Sequence, residues 1–469
     1  MAHRNRTFRL VLAAPLLLLC ALVTLADSAF AKPRYFVMEI FSWDPIGDAY
    51  DAEFKSYVDA CAAKGFNVIR MDIPWDTTEP AIGVYNWTKI DRQLDYIVSR
   101  GLKLMLIVNT RNKALWLIDA KTPTDGYDSY LMRRADGSVH KGANGYTLGG
   151  VPITSFGTLT LNSGWVLSKI ASFHQAVVQR YQQRYPRGTV LNFMSCFTPT
   201  LEAEYDHIDY LDFGSFAKLE YRQWLQQRYG NILALNSKWR TAYVSFAQID
   251  PYVNAGAPKP DYDVRYMDWQ RFRTFSLRRF FDTMADTVHA AAPGAEYGMQ
   301  FGGAMWHEPW KRGIYAEQSM TAKADWVTVD GQQAFPAAFN ADVNRASLRG
   351  KKLMAELDGP HRGYTDQQNL TAGKAFFDRG YDAVDLANWS FRGLTELNDP
   401  KWTFLPQLAS MARAQVPTIT PASTITISVT DLYAFHDTYT FENQVISRWL
   451  QASSNGQKII DVIYQDDLR

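Results

Sequence analysis

The sequence predicts an α/β fold, a (β/α)8 TIM barrel followed by a small C-terminal βαβ appendage. Two observations predict the barrel. Short apolar segments alternate with amphipathic segments over most of the chain, and glycine follows several of the amphipathic ones. Strand–helix–strand repetition of this kind is typical of a parallel sheet. Eight such strands, with helical material between them, are the number that closes this type of barrel.

The predicted strands are short and mostly apolar. The third, residues 102–109, is apolar almost throughout, as expected for a strand that is buried on both faces. Because the strands of such a barrel are parallel, their carboxyl ends meet at one face, and functional residues are expected there. In chain order the predicted strands are residues 34–41, 66–74, 102–109, 190–198, 296–301, 326–329, 352–356 and 382–389.

Amphipathic helices are predicted between the strands. The helix over 51–64 precedes Gly65 and the helix over 90–99 precedes Gly101, which fits the preference for glycine after a helix. Residues 119–162 are rich in Gly, Thr, Ser and Tyr, and we expect a long loop there over one end of the fold. Further helices are predicted over 164–184, 213–229 and 268–291.

The N-terminal segment has the pattern of a secretory signal peptide. Three arginines precede an apolar stretch over 10–26, and Ala-Phe-Ala at 29–31 is a small-x-small cleavage site. We therefore expect cleavage before Lys32 and a secreted or periplasmic protein that has no membrane anchor after cleavage. The predicted domains are a signal peptide over 1–31, a catalytic barrel over 32–415 and the appendage over 416–469.

The appendage differs from the barrel in its amino-acid composition and pattern. Residues 418–424 are rich in Thr, Pro and Ser, and an alternating strand over 425–429 follows them. A helix over 441–452 and a second strand over 458–464 complete the predicted unit. Packing against the barrel is its favoured role, with support of an oligomer as the alternative. The oligomeric state itself is not predicted.

Charge and cysteine content exclude several classes of function. The chain has 49 Lys and Arg against 48 Asp and Glu, so electrostatics give no basis for binding nucleic acid or an anionic membrane. Only Cys61 and Cys196 follow the predicted cleavage site. Two cysteines allow one disulfide, but neither a disulfide framework nor a four-thiolate metal site. No cofactor or metal is expected.

Glutamates near the ends of the predicted strands four and seven are candidates for catalysis. Strand four continues into a segment that holds Glu202 and Glu204, and strand seven ends at Glu356. Retaining glycosidases need two carboxyl groups roughly 5 Å apart, one as nucleophile and one as acid and then base. Strand ends that face each other across a barrel mouth can supply that spacing. Position alone leaves a solvated surface role open for each of them.

One segment carries a specific resemblance. Residues 65–70 are Gly-Phe-Asn-Val-Ile-Arg, residues 75–85 are Trp-Asp-Thr-Thr-Glu-Pro-Ala-Ile-Gly-Val-Tyr, and residues 101–104 are Gly-Leu-Lys-Leu. Asn162-Ser163 and the segment 221–239 add further matches. Over most of residues 34–410 the chain resembles clan A glycoside hydrolases, most nearly the family 42 β-galactosidases and less closely family 35.

The resemblance implies a retaining glycoside hydrolase that cleaves a β-linked oligosaccharide or polysaccharide through a covalent glycosyl-enzyme intermediate. It implies that Glu356 is the nucleophile and Glu204 the acid/base. Glu202 remains the alternative acid/base, because Thr-Pro-Thr-Leu at 198–201 lengthens the approach from strand four. A nearby arginine would keep the nucleophile ionised. The substrate-binding residues that we expect are Arg70, Asn109, Trp306, His307 and Trp389.

The chain departs from the family pattern at two further places. Ala203 stands where the clan usually has an asparagine that binds the sugar 2-hydroxyl, and Thr198 or Asn109 could replace it. Tyr210-Leu-Asp-Phe-Gly stands where the family has zinc-binding cysteines. A transglycosidase and a non-catalytic carbohydrate-binding protein are therefore alternatives, the latter favoured by Ala203. The sugar, the linkage, and exo versus endo action are not predicted.

Overall fold

Eight parallel strands close into a barrel, which confirms the predicted fold class. Each strand pairs with its neighbours in the sequence, and the last strand pairs with the first, Tyr35 lying opposite Ala383. The barrel strands are β1 (Tyr35–Ile40), β2 (Val68–Pro74), β3 (Lys103–Asn109), β4 (Val190–Cys196), β5 (Tyr297–Phe301), β6 (Trp326–Asp330), β7 (Lys352–Asp358) and β8 (Ala383–Ala387).

The chain is represented by a computed structural model. It describes residues 34–40, 48–111, 113–114, 116–117, 130–140, 147–148, 151–152, 157–198, 202–206, 209–253, 263–302, 309–314, 320–331, 336–358, 363–387, 403–414, 417–428 and 438–465. The predicted signal peptide lies outside these ranges, as does much of the predicted loop over 119–162. Within the described part of that loop, Thr147–Leu148 and Val151–Pro152 form a short antiparallel hairpin.

Helices flank the barrel. Their starts follow local capping chemistry: the Ser163 side chain accepts a hydrogen bond from the backbone of Val166, and Thr365 and Gln368 form a capping box. None of the described helices has both the length and the apolar character that crossing a bilayer requires. The helices are α1 (Asp48–Ala63), α2 (Trp75–Thr78), α3 (Thr88–Ser99), α4 (Gly164–Arg184), α5 (Ser215–Tyr229), α6 (Ile232–Trp239), α7 (Val264–Ala291), α8 (Pro309–Arg312), α9 (Ala337–Ser347), α10 (Asp366–Asp378), α11 (Leu405–Arg413) and α12 (Thr438–Ala452).

The C-terminal unit has the strand–helix–strand order that the sequence predicts. Strands β9 (Ser423–Ser428) and β10 (Ile460–Gln465) pair in parallel, and α12 connects them. The unit packs on barrel helix α9, where Trp449 meets Phe339 edge-on at 5.4 Å between ring centroids. The predicted boundary between residues 415 and 416 lies outside the described residues.

A buried carboxylate ties this unit to the barrel. Asp342, on α9, accepts hydrogen bonds from the Trp449 indole at 3.0 Å and from the Ile460 backbone at 3.2 Å. Arg379 donates to the other oxygen of Asp342 at 2.9 Å. Because a buried carboxylate is stable only when its oxygens are satisfied, these contacts fix the appendage in one position on α9.

The barrel strands are almost completely buried, but their buried residues are not all apolar. All seven residues of β2 are buried, including Arg70 and Asp72. Glu39 on β1, Glu356 on β7 and Asp385 on β8 are buried as well. Charged groups are costly inside a protein unless they are paired, and here they meet one another inside the barrel.

Candidate active site

Arg70 is the centre of a buried cluster to which five of the eight strands contribute. Its guanidinium donates to Glu356 at 2.9 Å, to Glu39 at 3.0 Å and to the Gln300 side-chain oxygen at 2.7 Å. Its third nitrogen lies 2.6 Å from a carboxylate oxygen of Asp385. The planar fork of arginine suits this arrangement, because it offers five donors in fixed directions.

Strand register brings these side chains together. Glu39 lies directly opposite Arg70 in the pairing of β1 with β2, and Asp385 lies opposite Glu356 in the pairing of β7 with β8. Side chains that lie opposite each other on neighbouring strands point to the same face of the sheet. The four residues therefore project together from two adjacent strand pairs.

The cluster carries more carboxyl groups than positive charges. Burial raises the pKa of Glu39 well above its usual value, despite the nearby Arg70. Burial also raises the pKa of Asp385 to about 7, with a further contribution from the charge of Glu356. Burial opposes a charged guanidinium, yet the surrounding carboxylates raise the pKa of Arg70. The arginine is therefore charged near neutral pH, whereas burial favours the protonated forms of Glu39 and Asp385.

Gln300 on β5 gives Glu356 a second donor. Its side-chain nitrogen donates to Glu356 Oε2 at 2.7 Å, the same oxygen that Arg70 binds. Two donors on one oxygen fix the orientation of this carboxylate and favour its ionised form. The predicted nucleophile is thus held by β2 and β5 together.

Glu204 is held in a buried ion pair. Its side chain is fully buried, and one of its carboxylate oxygens lies 2.5 Å from a guanidinium nitrogen of Arg312. The same nitrogen of Arg312 also donates to the backbone oxygen of Gly302. The backbone oxygen of Arg312 in turn accepts from the Tyr205 backbone at 2.9 Å. These contacts connect the loop that carries Glu204 to the segment that ends at Arg312. Glu204 therefore has the contacts of a residue that stabilises the structure of the site.

Glu202 lies at the end of β5, where its carboxyl and Arg312 both face Gly302. It retains 9% of its surface exposed, whereas Glu204 has none. A methyl group on the Cα of Gly302 would lie 2.5 Å from the Glu202 carboxyl carbon and 2.8 Å from Arg312. The Glu202 carboxyl therefore packs directly against the glycine backbone, in a space that only glycine leaves open.

The segment that carries both glutamates is anchored to β5, the strand whose Gln300 side chain binds the predicted nucleophile. The backbone of Ala203 donates to the backbone oxygen of Gln300 at 2.5 Å. The hydroxyl of Thr198 donates to the backbone oxygen of Glu202 at 2.8 Å. Since the Gln300 side chain binds Glu356, one residue links the loop after β4 to the carboxylate on β7.

Asn109 ends β3 on the neighbouring part of the rim. Its side-chain nitrogen donates to Asp72 at 2.9 Å, and the Cys196 thiol lies 3.6 Å from its side-chain oxygen. Burial raises the pKa of Asp76, two residues beyond β2, to about 7.

Both Cys61 and Cys196 are buried free thiols, so the disulfide that the cysteine count allowed is not formed.

The structure brings together several of the residues that the sequence singles out. Arg70 and Glu356 are in contact, as expected, and Glu202 and Glu204 lie on one loop. Trp306, His307 and Trp389 lie outside the described residues. Four residues of this region have no assigned role in the sequence-based predictions. Three of them, Glu39, Gln300 and Asp385, are polar residues inside apolar strands, which is a signal that the sequence offers. Arg312 offers no such signal.

Two groups of side chains have the spacing of metal ligands. Oxygens of Glu39, Glu356 and Asp385 lie within 4.8 Å of one another, but the guanidinium of Arg70 already supplies the cation among them. The second group is His140, Asp206 and Asp209. There His140 bonds to Asp206 at 2.7 Å, and Arg134 binds Asp209, so these groups satisfy one another through hydrogen bonds and ion pairs.

Sequence comparison connects the chain to one family. The profile of glycoside hydrolase family 42, described as β-galactosidase, matches residues 48–146 and 154–368, about two thirds of the chain. A β-galactosidase from an Arthrobacter species is 25% identical over 349 residues, which cover 70% of this chain and 46% of that enzyme. The β-galactosidase BgaA from a Thermus species is 25% identical over 237 residues. The chain spans about a third of the length of that relative.

Structural comparison finds the same barrel in solved proteins. A β-galactosidase from the haloarchaeon Halorubrum lacusprofundi superposes with a TM-score of 0.71 at 18% identity, over 92% of this chain and 67% of that one. The catalytic domain of a β-amylase from Paenibacillus polymyxa superposes with a TM-score of 0.64 at 16% identity, over 82% of this chain and 100% of that domain. At these identities the likeness establishes the fold.

Proposed function

Because the chain belongs to glycoside hydrolase family 42, we propose that it is a retaining glycoside hydrolase that cleaves a β-linked oligosaccharide or polysaccharide. The observation that carries this proposal is the placement of Glu356, at the end of a barrel strand, with Arg70 and Gln300 both on one of its oxygens. This is the arrangement that a carboxylate nucleophile requires, because it is oriented and ionised before the substrate arrives.

In the proposed mechanism Glu356 attacks the anomeric carbon and forms a covalent glycosyl-enzyme. A second carboxylic acid protonates the leaving oxygen, and its carboxylate then activates the water that releases the sugar. The sugar leaves with the anomeric configuration of the substrate. Arg70 stays protonated throughout and orients Glu356.

We assign the acid/base role to Glu202 in preference to Glu204. A group that transfers protons to substrate must reach it within hydrogen-bond distance. Glu204 is fully buried and ion-paired with Arg312, whereas Glu202 is buried but keeps 9% of its surface exposed. An acid/base must also alternate between its protonated and ionised forms, and protonation of Glu204 would break its buried ion pair with Arg312. The resemblance favours Glu204, and the geometry favours Glu202.

The proposed substrate class is a β-linked glycan. The curated relatives are named β-galactosidases, so aryl β-galactosides are the first compounds to assay. Ala203, in place of the asparagine of the clan, removes one expected contact to the sugar 2-hydroxyl. A panel that includes other β-glycosides is therefore needed to find the sugar that this chain accepts.

The decisive experiment combines turnover, stereochemistry and labelling. The protein is assayed with a panel of aryl β-glycosides, and the first-formed anomer of the best substrate is identified by NMR. The matching 2-fluoro glycoside is expected to label Glu356 covalently. Glu356→Gln is expected to lose about 10³-fold or more in kcat while it remains folded, and Glu53→Gln, at an exposed position, serves as control. Inversion of configuration, or full activity of Glu356→Gln, contradicts the proposal.

The same assays separate the two alternatives. A transglycosidase forms the same intermediate but passes the sugar to an acceptor, so added sugar acceptors would increase turnover and appear in the product. A non-catalytic carbohydrate-binding protein would bind glycans on an array without cleaving them. Ala203 is the observation that favours this second alternative, and covalent labelling of Glu356 excludes it.

We also propose that the protein is exported. The arginine-rich start, the apolar stretch over 10–26 and the Ala-Phe-Ala site at 29–31 support cleavage by a signal peptidase. The mature protein is then expected to begin at Lys32, which N-terminal sequencing of the exported form tests. An intact N-terminus on a membrane-associated protein contradicts the assignment.

A further inference from the structure

Arg312 lies between the two glutamates of the loop after β4. Its Nη1 atom is 2.5 Å from Glu204 Oε2 and also donates to the backbone oxygen of Gly302. A methyl group on the Cα of Gly302 would lie 2.8 Å from this same nitrogen and 2.5 Å from Glu202 Oε2. Arg312 Nη1 and Glu202 Oε2 are therefore no farther apart than the sum of these two distances, 5.3 Å. One guanidinium thus faces both carboxyl groups.

Backbone contacts hold this arrangement in place. The backbone oxygen of Arg312 accepts a hydrogen bond from the Tyr205 backbone at 2.9 Å, just after Glu204. Just before Glu204, the Ala203 backbone donates to the backbone oxygen of Gln300 at 2.5 Å. Because these main-chain bonds tie the loop to α8 and to β5, the spacing between Arg312 and the glutamates does not depend on side-chain rotamers alone.

The three buried side chains comprise two acids and one base. Arg312, Glu202 and Glu204 have 7%, 9% and 0% of their surface exposed. While Glu202 holds its proton, Arg312 balances the charge of Glu204. When Glu202 loses the proton, a second negative charge arises in the same buried space, where an unpaired carboxylate is costly. Arginine can serve two carboxylates at once, because its planar group offers five donors.

We propose that Arg312 is a positioning residue for the acid/base: it pairs with Glu204 at rest and stabilises the Glu202 carboxylate that forms during the reaction. This inference rests on the proposed function and names a residue through which its acid/base works. In the first step the Glu202 proton passes to the glycosidic oxygen, whose bond to the anomeric carbon breaks as the bond to Glu356 forms. The leaving group departs as an alcohol, and Glu202 remains as a carboxylate that faces Arg312. In the second step Glu202 takes a proton from water, whose oxygen bonds the anomeric carbon as the bond to Glu356 breaks.

Two substitutions in this one ion pair have opposite expected effects on Glu202. Arg312→Met removes a positive charge near Glu202, so Glu202 keeps its proton to higher pH. Glu204→Gln removes a negative charge, so Glu202 loses its proton at lower pH. If the ion pair served the structure alone, both variants would act in the same direction, because loss of either partner loosens the loop and admits water.

The other charged and titratable groups around Glu202 are common to the wild type and both variants. The Cys196 thiol, at the end of β4, interacts electrostatically with Glu202 and with two further charged groups. The Gln300 side chain on β5 binds the Arg70 cluster. Among the described residues these groups are Cys196, Asp72, Arg111, Asp206, Arg70 and Glu356. A difference in pH dependence between the variants therefore reports the substituted charge.

The first measurement is the pH dependence of kcat/KM for the best substrate with a natural leaving group. Its decline at high pH reports loss of the proton from the acid of the free enzyme. The midpoint of this decline is expected to rise by about one pH unit in Arg312→Met and to fall by about one in Glu204→Gln. The pair of Arg279 and Glu220 joins α7 to α5, so Arg279→Met and Glu220→Gln are the matched controls and are expected to keep the wild-type profile.

A double variant serves if a single variant does not fold. Arg312→Met combined with Glu204→Gln removes both buried charges, so that neither is left unpaired. Its kcat/KM for natural linkages is expected to fall about tenfold, the strength of one charge-assisted hydrogen bond. Its kcat/KM for dinitrophenyl glycosides is expected to stay at the wild-type value, because their first step needs no acid. Wild-type kcat/KM for natural linkages in this variant overturns the proposal.

The second measurement does not require turnover. The protein is labelled with ¹³C at the glutamate carboxyl carbons, and the NMR signal that is missing from Glu202→Gln is followed through a pH titration. Opposite shifts of its midpoint in Arg312→Met and Glu204→Gln, in a protein without glycosidase activity, support the shared arginine and contradict the proposed function. In an active enzyme, midpoints that stay at the wild-type value or move in the same direction overturn the role of Arg312 and leave the glycosidase proposal intact.

Discussion

The guanidinium of Arg312 lies 2.5 Å from the carboxylate of Glu204, and both side chains are buried. This pair connects the loop after β4 to the short helix α8 that follows β5. A carboxylate in such a pair contributes to the structure of the site, because loss of either partner leaves a buried charge without compensation. Its neighbour Glu202 packs with its carboxyl against Gly302, at the end of β5.

Substitution of Glu202 is expected to impair catalysis, whereas substitution of Glu204 is expected to lower stability. Glu202→Ala is expected to cripple turnover of natural linkages but largely spare the first step with dinitrophenyl glycosides, because a good leaving group needs no acid. Azide is expected to restore the second step. Glu204→Gln is expected to lower the free energy of unfolding by about 3–5 kcal/mol. Steady-state kinetics and urea denaturation check both; azide rescue at Glu204→Ala with a fully stable protein would return the role to Glu204.

Asp385→Asn is expected to change how stability depends on pH. The pKa of Asp385 is about 7 in the folded protein and about 3.9 in an unfolded chain. Between these values folding takes up a proton, so the free energy of unfolding falls as the pH rises from 4 to 7. The asparagine variant lacks this contribution and is expected to lose less stability between pH 5 and pH 8.

Chemical denaturation at the two pH values measures this difference. Asp250→Asn, which changes an exposed carboxylate, is the control and is expected to keep the wild-type pH dependence. If Asp385→Asn loses as much free energy of unfolding between the two pH values as the wild type does, Asp385 is ionised across this range. Any proton that the Arg70 cluster retains would then lie on another carboxyl group.

Gly302→Ala tests the position of Glu202. The new methyl group would lie 2.5 Å from the Glu202 carboxyl, so the carboxyl has to move away from the end of β5. We expect kcat/KM to fall about 10²-fold for natural linkages and much less for dinitrophenyl glycosides. Gly164→Ala, at a position where a methyl group meets no atom within 4 Å, is the matched control. Equal losses on both substrate types would indicate general distortion of the site.

Trp449→Phe tests the attachment of the appendage. The substitution removes the indole hydrogen bond to Asp342 and part of a fully buried ring. We expect the free energy of unfolding to fall by about 2–3 kcal/mol with kcat unchanged at 25 °C. Trp224→Phe, which alters a half-exposed ring, is expected to cost less than about 1 kcal/mol. A loss of kcat in Trp449→Phe without a loss of stability would assign the appendage a role in the site.

The fold could be predicted from local patterns, whereas much of the site could not. Each barrel strand is a short apolar segment, and the period of these segments is visible without knowledge of contacts. The partners of Arg70 depend on register between strands and lie 31 residues (Glu39) to 315 residues (Asp385, 385 minus 70) away in the chain, which no local pattern specifies. The preference for Glu202 required knowledge of burial, because two glutamates two residues apart look equivalent in the sequence.

Closure of the barrel has a consequence for how the chain is made. Strand β1 has its partner β8 at the other end of the barrel sequence, with Tyr35 opposite Ala383. At a synthesis rate of about 5–20 residues per second, β1 waits on the order of tens of seconds before that partner exists. During this time one edge of β1 offers unpaired backbone groups, the feature through which strands aggregate. The interval between translation of the first and last barrel strands is therefore the period in which this protein is most vulnerable to misassembly.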